Sequence, residues 1–348
     1  MRVLLIGGTG FIGPWVVRRL VGAGHDVTVF HRGEHEADLP AAVAHVHGDR
    51  DRLADHTAAL RRFAPDVVLD TRPLRESDAR AVVEAFAGTA RRLVAISSMD
   101  VYRAYGRLHG TEPGPSEPTP FAEDAPLRER FYPYRSDPPR AEDDPMRWAD
   151  DYDKIPVERV VLGEPRLPGT VLRLPFVYGP GDRQHRLWSR LKRMMDGRSA
   201  ILLGETEARW RGTRGYVENV AAAIALAATE ERAAGRVYNV GEREAPTEAD
   251  FLRAVGRAAG WRGEVVTVPD DRLPPHLAPQ ANLAQDMVAD TERIRRELGY
   301  AEPVPRPEWL RRTVEWERAH PPETFDPAEF DYAAEDAVLA GSGTPGTA

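Results

Sequence analysis

A run of glycines near the N-terminus is the first segment whose residue types indicate a chemical task. The apolar stretch 3–6 leads into it, and an apolar helix predicted from Pro14 follows it. Glycines allow a tight turn and let the backbone approach a pyrophosphate, whose charge the free N–H groups of a helix start favour. We therefore expect a dinucleotide to bind here. The expected contacts are Gly7, Thr9, Gly10, Phe11, Ile12 and Gly13.

The end of the second predicted strand bears on which dinucleotide is bound. An NAD site usually has a carboxylate there for the ribose 2′-hydroxyl, whereas an arginine accommodates the 2′-phosphate of NADP. Residues 30–33 read Phe-His-Arg-Gly, so we expect NADP to be favoured over NAD, with Arg32 at the phosphate. A solvated arginine in an NAD protein is the alternative. Asp49, after the third strand, is expected to contact the adenine, or else to be an ordinary turn aspartate.

Short apolar runs alternate with helical stretches, which is typical of a parallel sheet whose strands are joined by helices. The fold class that we predict is α/β, a Rossmann-type doubly wound parallel sheet. A loop insertion at 103–150 is rich in proline and aromatic residues, which favours an ordered lid or pocket wall. The predicted strands are 3–6, 27–30, 43–46, 66–70, 92–97, 170–174 and 236–240, and the predicted helices include 14–21, 53–63, 77–86 and 309–317.

Composition and charge exclude several functions. The 348 residues carry a net charge of −8, so no overall positive field attracts nucleic acid or an anionic membrane. The absence of cysteine excludes disulfides, thiolate metal sites and a cysteine nucleophile. The histidines show no metal-ligand spacing with carboxylates, so we expect no metal site. No apolar run could span a bilayer, and Met1-Arg2-Val3 leads straight into a strand, so we expect a cytoplasmic protein.

Six motifs make the sequence resemble the extended short-chain dehydrogenase/reductases, the NAD-dependent epimerase/dehydratase family that works on nucleotide sugars. The resemblance implies an NAD(P)-binding Rossmann domain at 1–175, to which the strand at 236–240 returns, and a smaller substrate-binding domain at 176–320. The acidic segment 321–348 is expected to be a flexible tail. Besides the glycine run, the motifs are ISSMDVY at 96–102, LRLPFVYGPG at 172–181, RGYVENV at 214–220, VYNVG at 237–241 and DTERIRRELG at 290–299.

The resemblance implies a catalytic group made of a serine or threonine, a tyrosine and a lysine. It assigns Ser98 to orient the substrate hydroxyl, and Lys154 to hold the nicotinamide ribose and lower the pKa of the tyrosine. Lys154 is one of two lysines in an arginine-rich chain, which favours a specific need for a compact ammonium. Asp100 is expected to assist elimination or epimerisation, or else to cap a turn. Pro175 is assigned to the coenzyme site.

The expected tyrosine is missing, because Asp150 stands four residues before Lys154 and the nearest tyrosine is Tyr152. On a regular helix, two positions rotate a side chain by about 200°, onto the opposite face. A helix that begins only near Asp153, which Pro156 permits, would leave Tyr152 in an irregular turn as the acid/base. Otherwise Asp150 acts as the base, or it pairs with Lys154 and the site is inactive. We favour Tyr152.

Several arginines fall in segments that border the substrate cleft in the family, and guanidinium forks bind diphosphates well. We therefore expect a nucleotide sugar whose hydroxyl is transiently oxidised by NADP or NAD. The alternative is a non-catalytic NAD(P)-binding relative with an RNA-binding or scaffold role, because residues 29–33 and 48–50 resemble the chloroplast stem-loop RNA-binding proteins. Family members commonly dimerise through two helices, here 77–86 and 154–162, so we expect a homodimer. The candidate substrate residues are Arg173, Arg183, Arg211 and Arg214.

Overall fold

The computed structural model describes residues 1–34 and 37–342, and a seven-stranded sheet lies at its centre. The strands are β1 (Arg2–Ile6), β2 (Asp26–His31), β3 (Ala44–His47), β4 (Val67–Asp70), β5 (Arg92–Ser98), β6 (Gly169–Leu174), β7 (Phe176–Tyr178), β8 (Ala200–Gly204), β9 (Arg214–Tyr216), β10 (Val237–Asn239) and β11 (Glu264–Val268). The helices are α1 (Gly13–Gly22), α2 (Leu53–Arg62), α3 (Glu76–Phe86), α4 (Arg103–Leu108), α5 (Lys154–Gly163), α6 (Trp188–Met195), α7 (Glu205–Arg209), α8 (Val217–Thr229), α9 (Glu248–Ala259), α10 (Glu292–Leu298), α11 (Arg306–Ala319) and α12 (Tyr332–Ser342). Within the described ranges, no helix combines the length and apolarity needed to cross a membrane.

The central sheet has the strand order β10-β6-β5-β4-β1-β2-β3, and every neighbouring pair is parallel. The predicted Rossmann-type α/β fold is confirmed. From β1 the chain first adds β2 and β3 on one side and then crosses to the other side of β1 to add β4, so the direction of the strand order reverses between β1 and β4. In open parallel sheets, ligands bind beyond the carboxyl ends of the strands at this reversal. The glycine run 7–13 follows β1 directly, so the fold places it at this edge.

The turn between β1 and α1 is determined by local backbone requirements. Gly7 and Gly8 have φ angles of 92° and 97°, a region that glycine adopts without a steric penalty. Gly13 approaches the turn so closely that a Cβ there would lie 2.4 Å from the backbone of Gly8. Pro14 occupies the first turn of α1, where its missing amide hydrogen is not needed. The glycine motif is thus a steric necessity of this turn.

Beyond β6 the chain forms two small parallel sheets, β7–β9 and β8–β11. Between β9 and β11 along the chain, β10 returns to the edge of the central sheet and pairs with β6, over 237–239. The alanine-rich helix α8 contributes Ala221, Ile224 and Ala228 to the apolar core that also contains Val16 and Leu20 of α1. The later part of the chain is therefore anchored to the sheet by one strand and one buried helix.

The insertion at 103–150 packs against the sheet as an ordered wall. Phe121 is buried with its ring centre 4.4 Å from that of Tyr102. Arg128 is also buried, and it forms an ion pair of 3.1 Å with Asp153, the residue before α5. Because buried charges persist only when they are paired, this contact holds the insertion beside the start of α5.

The expectation of a flexible tail at 321–348 does not hold for its described part, because α12 forms there. Glu335 on α12 is buried, and its carboxylate lies 2.7 Å from the Arg193 guanidinium and 3.2 Å from His276 Nε2. The composition of the segment could not predict this contact, because Glu335 is one buried carboxylate in a segment whose other acidic residues are mostly exposed. Residues 343–348 lie outside the described residues.

Candidate active site

A cleft of about 620 Å³ opens where β1, β2, β3 and β4 end. A Cβ at Gly10 would meet no atom within 4 Å, so the space beside the turn is open. Helix α1 begins directly behind the turn, with its unpaired N–H groups and the positive end of its dipole. These features fit a pyrophosphate. The cleft is lined by all six residues predicted to bind it: Gly7, Thr9, Gly10, Phe11, Ile12 and Gly13.

Arg32 and Asp49 line the same cleft, after β2 and β3. The Arg32 guanidinium lies 3.1 Å from the Glu34 carboxylate, and both side chains are more than half exposed. Glu34 therefore supplies a carboxylate beside Arg32, where an NAD site usually has one. The preference for NADP stays a prediction. Asp49 accepts the amide hydrogen of Asp51 at 2.9 Å, so it caps a short 3-10 turn.

Arg72 and Arg183 line the cleft without a carboxylate partner in the described part of the chain. The Arg72 guanidinium lies 5.9 Å from the ring centre of Trp148. Burial, and then the charges of Arg50 and Arg32, lower the pKa of Arg72. Unpaired guanidiniums in a cleft suit an anionic ligand. Sequence reasoning assigned Arg183 to the substrate instead, and it missed Arg72 because no motif marks that position.

Lys154 lies directly behind the cleft wall. Its Nζ donates to the backbone oxygens of Pro73 at 2.7 Å and Ile96 at 3.0 Å. The amide of Asp153 donates to the oxygen of Leu74, a residue that lines the cleft, at 3.0 Å. An ammonium has three donors, and these contacts use two of them.

The expected late start of the helix is confirmed. Helix α5 begins at Lys154, and Asp153 caps it by accepting the amide hydrogen of Ile155 at 2.9 Å. Tyr152 precedes the helix with extended backbone angles of φ −72° and ψ 124°. The rotation rule for a regular helix therefore does not apply, and the Lys154 ammonium lies 5.6 Å from the Tyr152 ring centre.

The hypothesis that Asp150 pairs with Lys154 is wrong. The Asp150 carboxylate accepts the amide hydrogens of Ser136 at 3.1 Å and Arg140 at 2.7 Å, and it also forms an ion pair with the Arg140 guanidinium. The reason is the 3-10 turn before α5, which directs the Asp150 side chain toward residues 136–140 of the insertion and away from Lys154. Its oxygens are occupied there, so the geometry also gives no support to Asp150 as the catalytic base.

Ser98, Asp100 and Tyr152 lie together, and the insertion adds a second phenol. The Tyr152 hydroxyl donates to Asp100 Oδ2 at 2.7 Å, and the Tyr134 hydroxyl donates to the same oxygen at 3.0 Å. The Tyr134 oxygen lies 2.9 Å from the hydroxyl of Tyr105. Ser98 Oγ accepts the amide hydrogen of Asp100 at 3.2 Å. Sequence reasoning missed Tyr134, whose only signal was its place in an aromatic run of the insertion.

Burial controls the protonation of this group. It raises the pKa of Asp100, against the hydrogen bond from Tyr152 and the charge of Arg128. It also raises the pKa of Tyr152 well above the usual value, and the charge of Asp100 adds to this effect. Burial lowers the pKa of Lys154 to about 8, against the opposing charge of Asp100. Burial therefore favours the neutral form of all three groups, so Asp100 and Tyr152 hold their protons more tightly than usual and Lys154 less tightly.

Arg173 does not lie where the sequence placed it. The Arg173 guanidinium is buried and bonds to both Glu158 oxygens, at 2.7 and 3.0 Å. It is therefore half of an internal ion pair, which corrects its assignment to the substrate. Pro175 packs beside Gly215, where an added Cβ would lie 3.3 Å from the proline ring, and its assignment to the coenzyme site stays a prediction.

A second cleft, of about 450 Å³, lies where β7, α6 and α9 meet. Arg214 lines it, but its guanidinium forms an ion pair with Glu248 and lies 4.0 Å from the ring centre of Phe251. Trp210 also lines this cleft. Arg211 borders a different groove, and its Nε donates to a backbone oxygen at 2.8 Å. The four expected substrate arginines therefore do not form one cluster.

Three histidines meet at the edge of the central sheet, although the sequence predicted no metal site. His31 ends β2, while His45 and His47 lie on β3, and their potential ligand nitrogens are all within 4.8 Å of one another. Spacing along the chain could not show this, because the register of two parallel strands brings the residues together.

The parallel sheet, the reversal of its strand order and the glycine-lined cleft define a Rossmann-type protein whose cleft fits a dinucleotide. The family model described as "NAD dependent epimerase/dehydratase family" matches residues 3–241. The chain belongs to that family.

The curated relatives include two reductases. The 2′-dehydrokanamycin reductase of Streptomyces kanamyceticus is 28% identical over 278 residues, which cover 77% of this chain and 70% of the relative. A 3-diazoavenalumate denitrifying reductase of a Streptomyces species is 28% identical over 325 residues, which cover 86% and 95%. Both names describe reductases, and neither supports the RNA-binding alternative.

Among solved structures, the UDP-glucose-4-epimerase of Stenotrophomonas maltophila, with bound NAD and formylated UDP-arabinopyranose, has the same fold. Its TM-score is 0.68 at 19% identity, and the match covers 92% of this chain and 98% of that one. At this identity the comparison establishes the shared fold.

Proposed function

We propose that this protein is an NAD(P)-dependent oxidoreductase that exchanges a hydride with an alcohol or ketone carbon of a sugar-type substrate. The observation that supports this most is the 2.7 Å hydrogen bond from Tyr152 to Asp100, with the Lys154 ammonium 5.6 Å from the phenol ring, behind the cleft wall. When bound, the nicotinamide coenzyme supplies or accepts the hydride. The protein's own residues have to move the accompanying proton.

In this proposal, residues 1–175 hold the coenzyme and residues 176–320 receive the substrate. The turn 7–13 holds the pyrophosphate, assisted by Arg72 and Arg183, and Lys154 donates to the nicotinamide ribose. NADP is the preferred form, with Arg32 exchanging its ion pair with Glu34 for the 2′-phosphate.

The proton moves between Tyr152 and the substrate oxygen. In reduction, Tyr152 gives its phenolic proton to that oxygen as the carbon gains hydride; in oxidation, the phenolate takes the hydroxyl proton. Asp100, whose pKa burial raises, exchanges a proton with Tyr152 through their hydrogen bond. The Ser98 oxygen accepts the Asp100 amide hydrogen, so its own hydrogen can orient the substrate oxygen. The charge of Lys154 stabilises the phenolate form of Tyr152.

A nucleotide sugar that is transiently oxidised is the first substrate class. The support for it is the UDP-sugar complex of the similarly folded epimerase, together with the 450 Å³ cleft that Arg214 and Trp210 line. The transient ketone would then undergo epimerisation, elimination or re-reduction, with Asp100 as the auxiliary carboxylate. Of the predicted arginines, Arg214 is the one in this cleft, and it would exchange its ion pair with Glu248 for the diphosphate; Arg183 lines the coenzyme cleft and Arg211 a different groove.

The second candidate is net reduction of a ketone on a substrate without a diphosphate. A specific observation favours it: Arg173 and Arg214 are already paired with Glu158 and Glu248, so the cleft offers few free cations. The two reductases among the relatives have names that fit net reduction. Both candidates use the same proton machinery.

We also propose a cytoplasmic homodimer that associates through α3 and α5. The outer surface of these helices carries a groove lined by Val83, Val160, Phe131 and Tyr132, and Leu162 is exposed beside it. Light scattering on the purified protein measures the mass directly. A monomer at micromolar concentration would contradict this assembly.

A substrate screen on the purified protein tests the function. The protein is incubated with NADP⁺, NADPH, NAD⁺ or NADH and a panel of nucleotide sugars and keto-glycosides, including dehydrogenated aminoglycosides. Nicotinamide absorbance reports net redox, and product mass reports epimerisation or elimination. The proposal predicts turnover that Tyr152→Phe lowers on the order of 10³-fold; turnover unaffected by that substitution would contradict it.

A further inference from the structure

The three histidines at the sheet edge share one face of two neighbouring strands. His45 and His47 are two residues apart on β3, so their side chains extend to the same side. His31 on β2 is paired in register with His47, and its ring centre lies 4.7 Å from that of His47 and 5.1 Å from that of His45. His31 is buried, whereas the other two rings are exposed. The cluster therefore has one rigid member and two that can adjust.

The nitrogens are close enough to serve a single ion. His31 Nε2 lies 2.9 Å from His45 Nδ1, and the cluster spans no more than 4.8 Å. Bonds of about 2.0–2.1 Å to a tetrahedral ion place two ligand nitrogens about 3.3 Å apart. The adjustment from the present positions is small, and the exposed rings of His45 and His47 can make it.

Three imidazoles are a ligand set with a defined preference. Neutral imidazole suits zinc, nickel, cobalt and copper ions, and three histidines with an open fourth position form a known type of zinc site. In the metal-free arrangement a proton lies between His31 Nε2 and His45 Nδ1. If His31 binds the ion through Nε2, its ring proton has to sit on Nδ1. Nδ1 can then no longer accept the 3.2 Å hydrogen bond from the Gly33 amide, so that bond is lost.

We propose that His31, His45 and His47 bind one divalent transition-metal ion of the Zn²⁺ class at the rim of the coenzyme cleft. His31 and Arg32 both line that cleft, so the ion would lie beside the end of β2. There it would hold the turn at 31–33 in place, because two of its ligands come from the neighbouring strand. The proposal does not depend on the function proposed above.

The test is a calorimetric titration of untagged, chelator-treated protein with Zn²⁺ alone. The double variant His45→Gln/His47→Gln removes two ligands at exposed positions, and His320→Gln, at the exposed end of α11, is the matched control. We expect one Zn²⁺ per chain in the wild type and the control, and affinity reduced by at least about tenfold in the double variant. Equal melting temperatures without metal show that the variants are folded.

Cobalt gives a second readout, since Co²⁺ in a histidine site of low coordination number absorbs visible light. The wild type should develop that absorption on titration with Co²⁺, and the double variant should not. A wild type that binds no Zn²⁺ overturns the proposal, and so does a double variant that binds it as tightly as the wild type. In either case the three rings are a hydrogen-bonded histidine cluster only. Neither titration uses coenzyme or substrate, so failure here is separate from failure of the proposed function.

Discussion

The coenzyme cleft and the catalytic group beside it are built in different ways. The cleft is made by backbone: the φ angles of Gly7 and Gly8, the close approach of Gly13 and the amides of α1 form its floor. The catalytic group is made by side chains from three distant segments, which place the Tyr152 and Tyr134 hydroxyls at the Asp100 carboxylate and Ser98 Oγ at the Asp100 amide. A backbone site is encoded by a short local motif, whereas a side-chain site depends on the whole fold.

The largest effect should come from the catalytic side. Tyr152→Phe removes the proton donor but keeps the ring, so kcat should fall on the order of 10³-fold. Coenzyme affinity should stay within about twofold, because the hydroxyl bonds to Asp100 rather than to the cleft. Steady-state kinetics and fluorescence titration measure the two quantities. Tyr134→Phe is the comparison variant, since it removes the second hydrogen bond to Asp100 and the contact with the Tyr105 hydroxyl but leaves Tyr152 in place, and its kcat should fall by roughly tenfold.

A wild-type kcat in Tyr152→Phe would show that another group moves the proton. A joint loss of kcat and coenzyme affinity would show that the cleft and the catalytic group do not act independently.

The backbone side is tested by adding one methyl group at Gly10. Gly10→Ala places a Cβ in open space beside the turn, so the melting temperature should be unchanged. The pyrophosphate needs that space, and coenzyme affinity should fall by roughly 100-fold. Gly22→Ala, also with no atom near the new Cβ but at the far end of α1, is the control. Unchanged affinity in Gly10→Ala would mean that the coenzyme does not lie on this turn.

Lys154 connects the two regions, and its pKa gives a pH dependence. Burial lowers that pKa from 10.5 to about 8, so the ammonium loses its charge as the pH rises through about 8. Coenzyme affinity should therefore fall by roughly tenfold above pH 8, because a charged donor to the ribose is lost. Fluorescence titrations across this range measure it, with Lys192→Met as the control. A flat profile in the wild type would show that Lys154 does not hold the coenzyme.

The smallest effect concerns the choice between coenzymes. Arg32→Ala should weaken NADP binding by roughly fivefold, since the guanidinium is more than half exposed and already paired with Glu34. NAD binding should change little. Glu34→Gln should act in the opposite direction, because it frees the guanidinium. Paired titrations with both coenzymes measure this, and equal effects on NADP and NAD would remove the case for a 2′-phosphate site.

The sequence allowed the cleft to be predicted better than the catalytic group, for a physical reason. A tight turn with positive φ requires glycine, so Gly7 to Gly13 could be recognised without any tertiary information. No local backbone conformation requires an arginine at position 72. Its place in the cleft becomes visible only when the sheet brings the end of β4 beside the glycine turn. Tyr134 likewise reaches Asp100 because the buried Arg128 holds the insertion in place. Arg173 was assigned to the substrate because nothing in its motif shows the Glu158 that neutralises it.

The central claim is that a nicotinamide dinucleotide binds at the turn between β1 and α1. Calorimetric titration of the wild-type protein with NADP⁺, NADPH, NAD⁺ and NADH tests it most directly. The account predicts one coenzyme bound per chain, tighter for the NADP forms, and strongly weakened in Gly10→Ala. Absence of heat or fluorescence change with all four coenzymes would contradict the account.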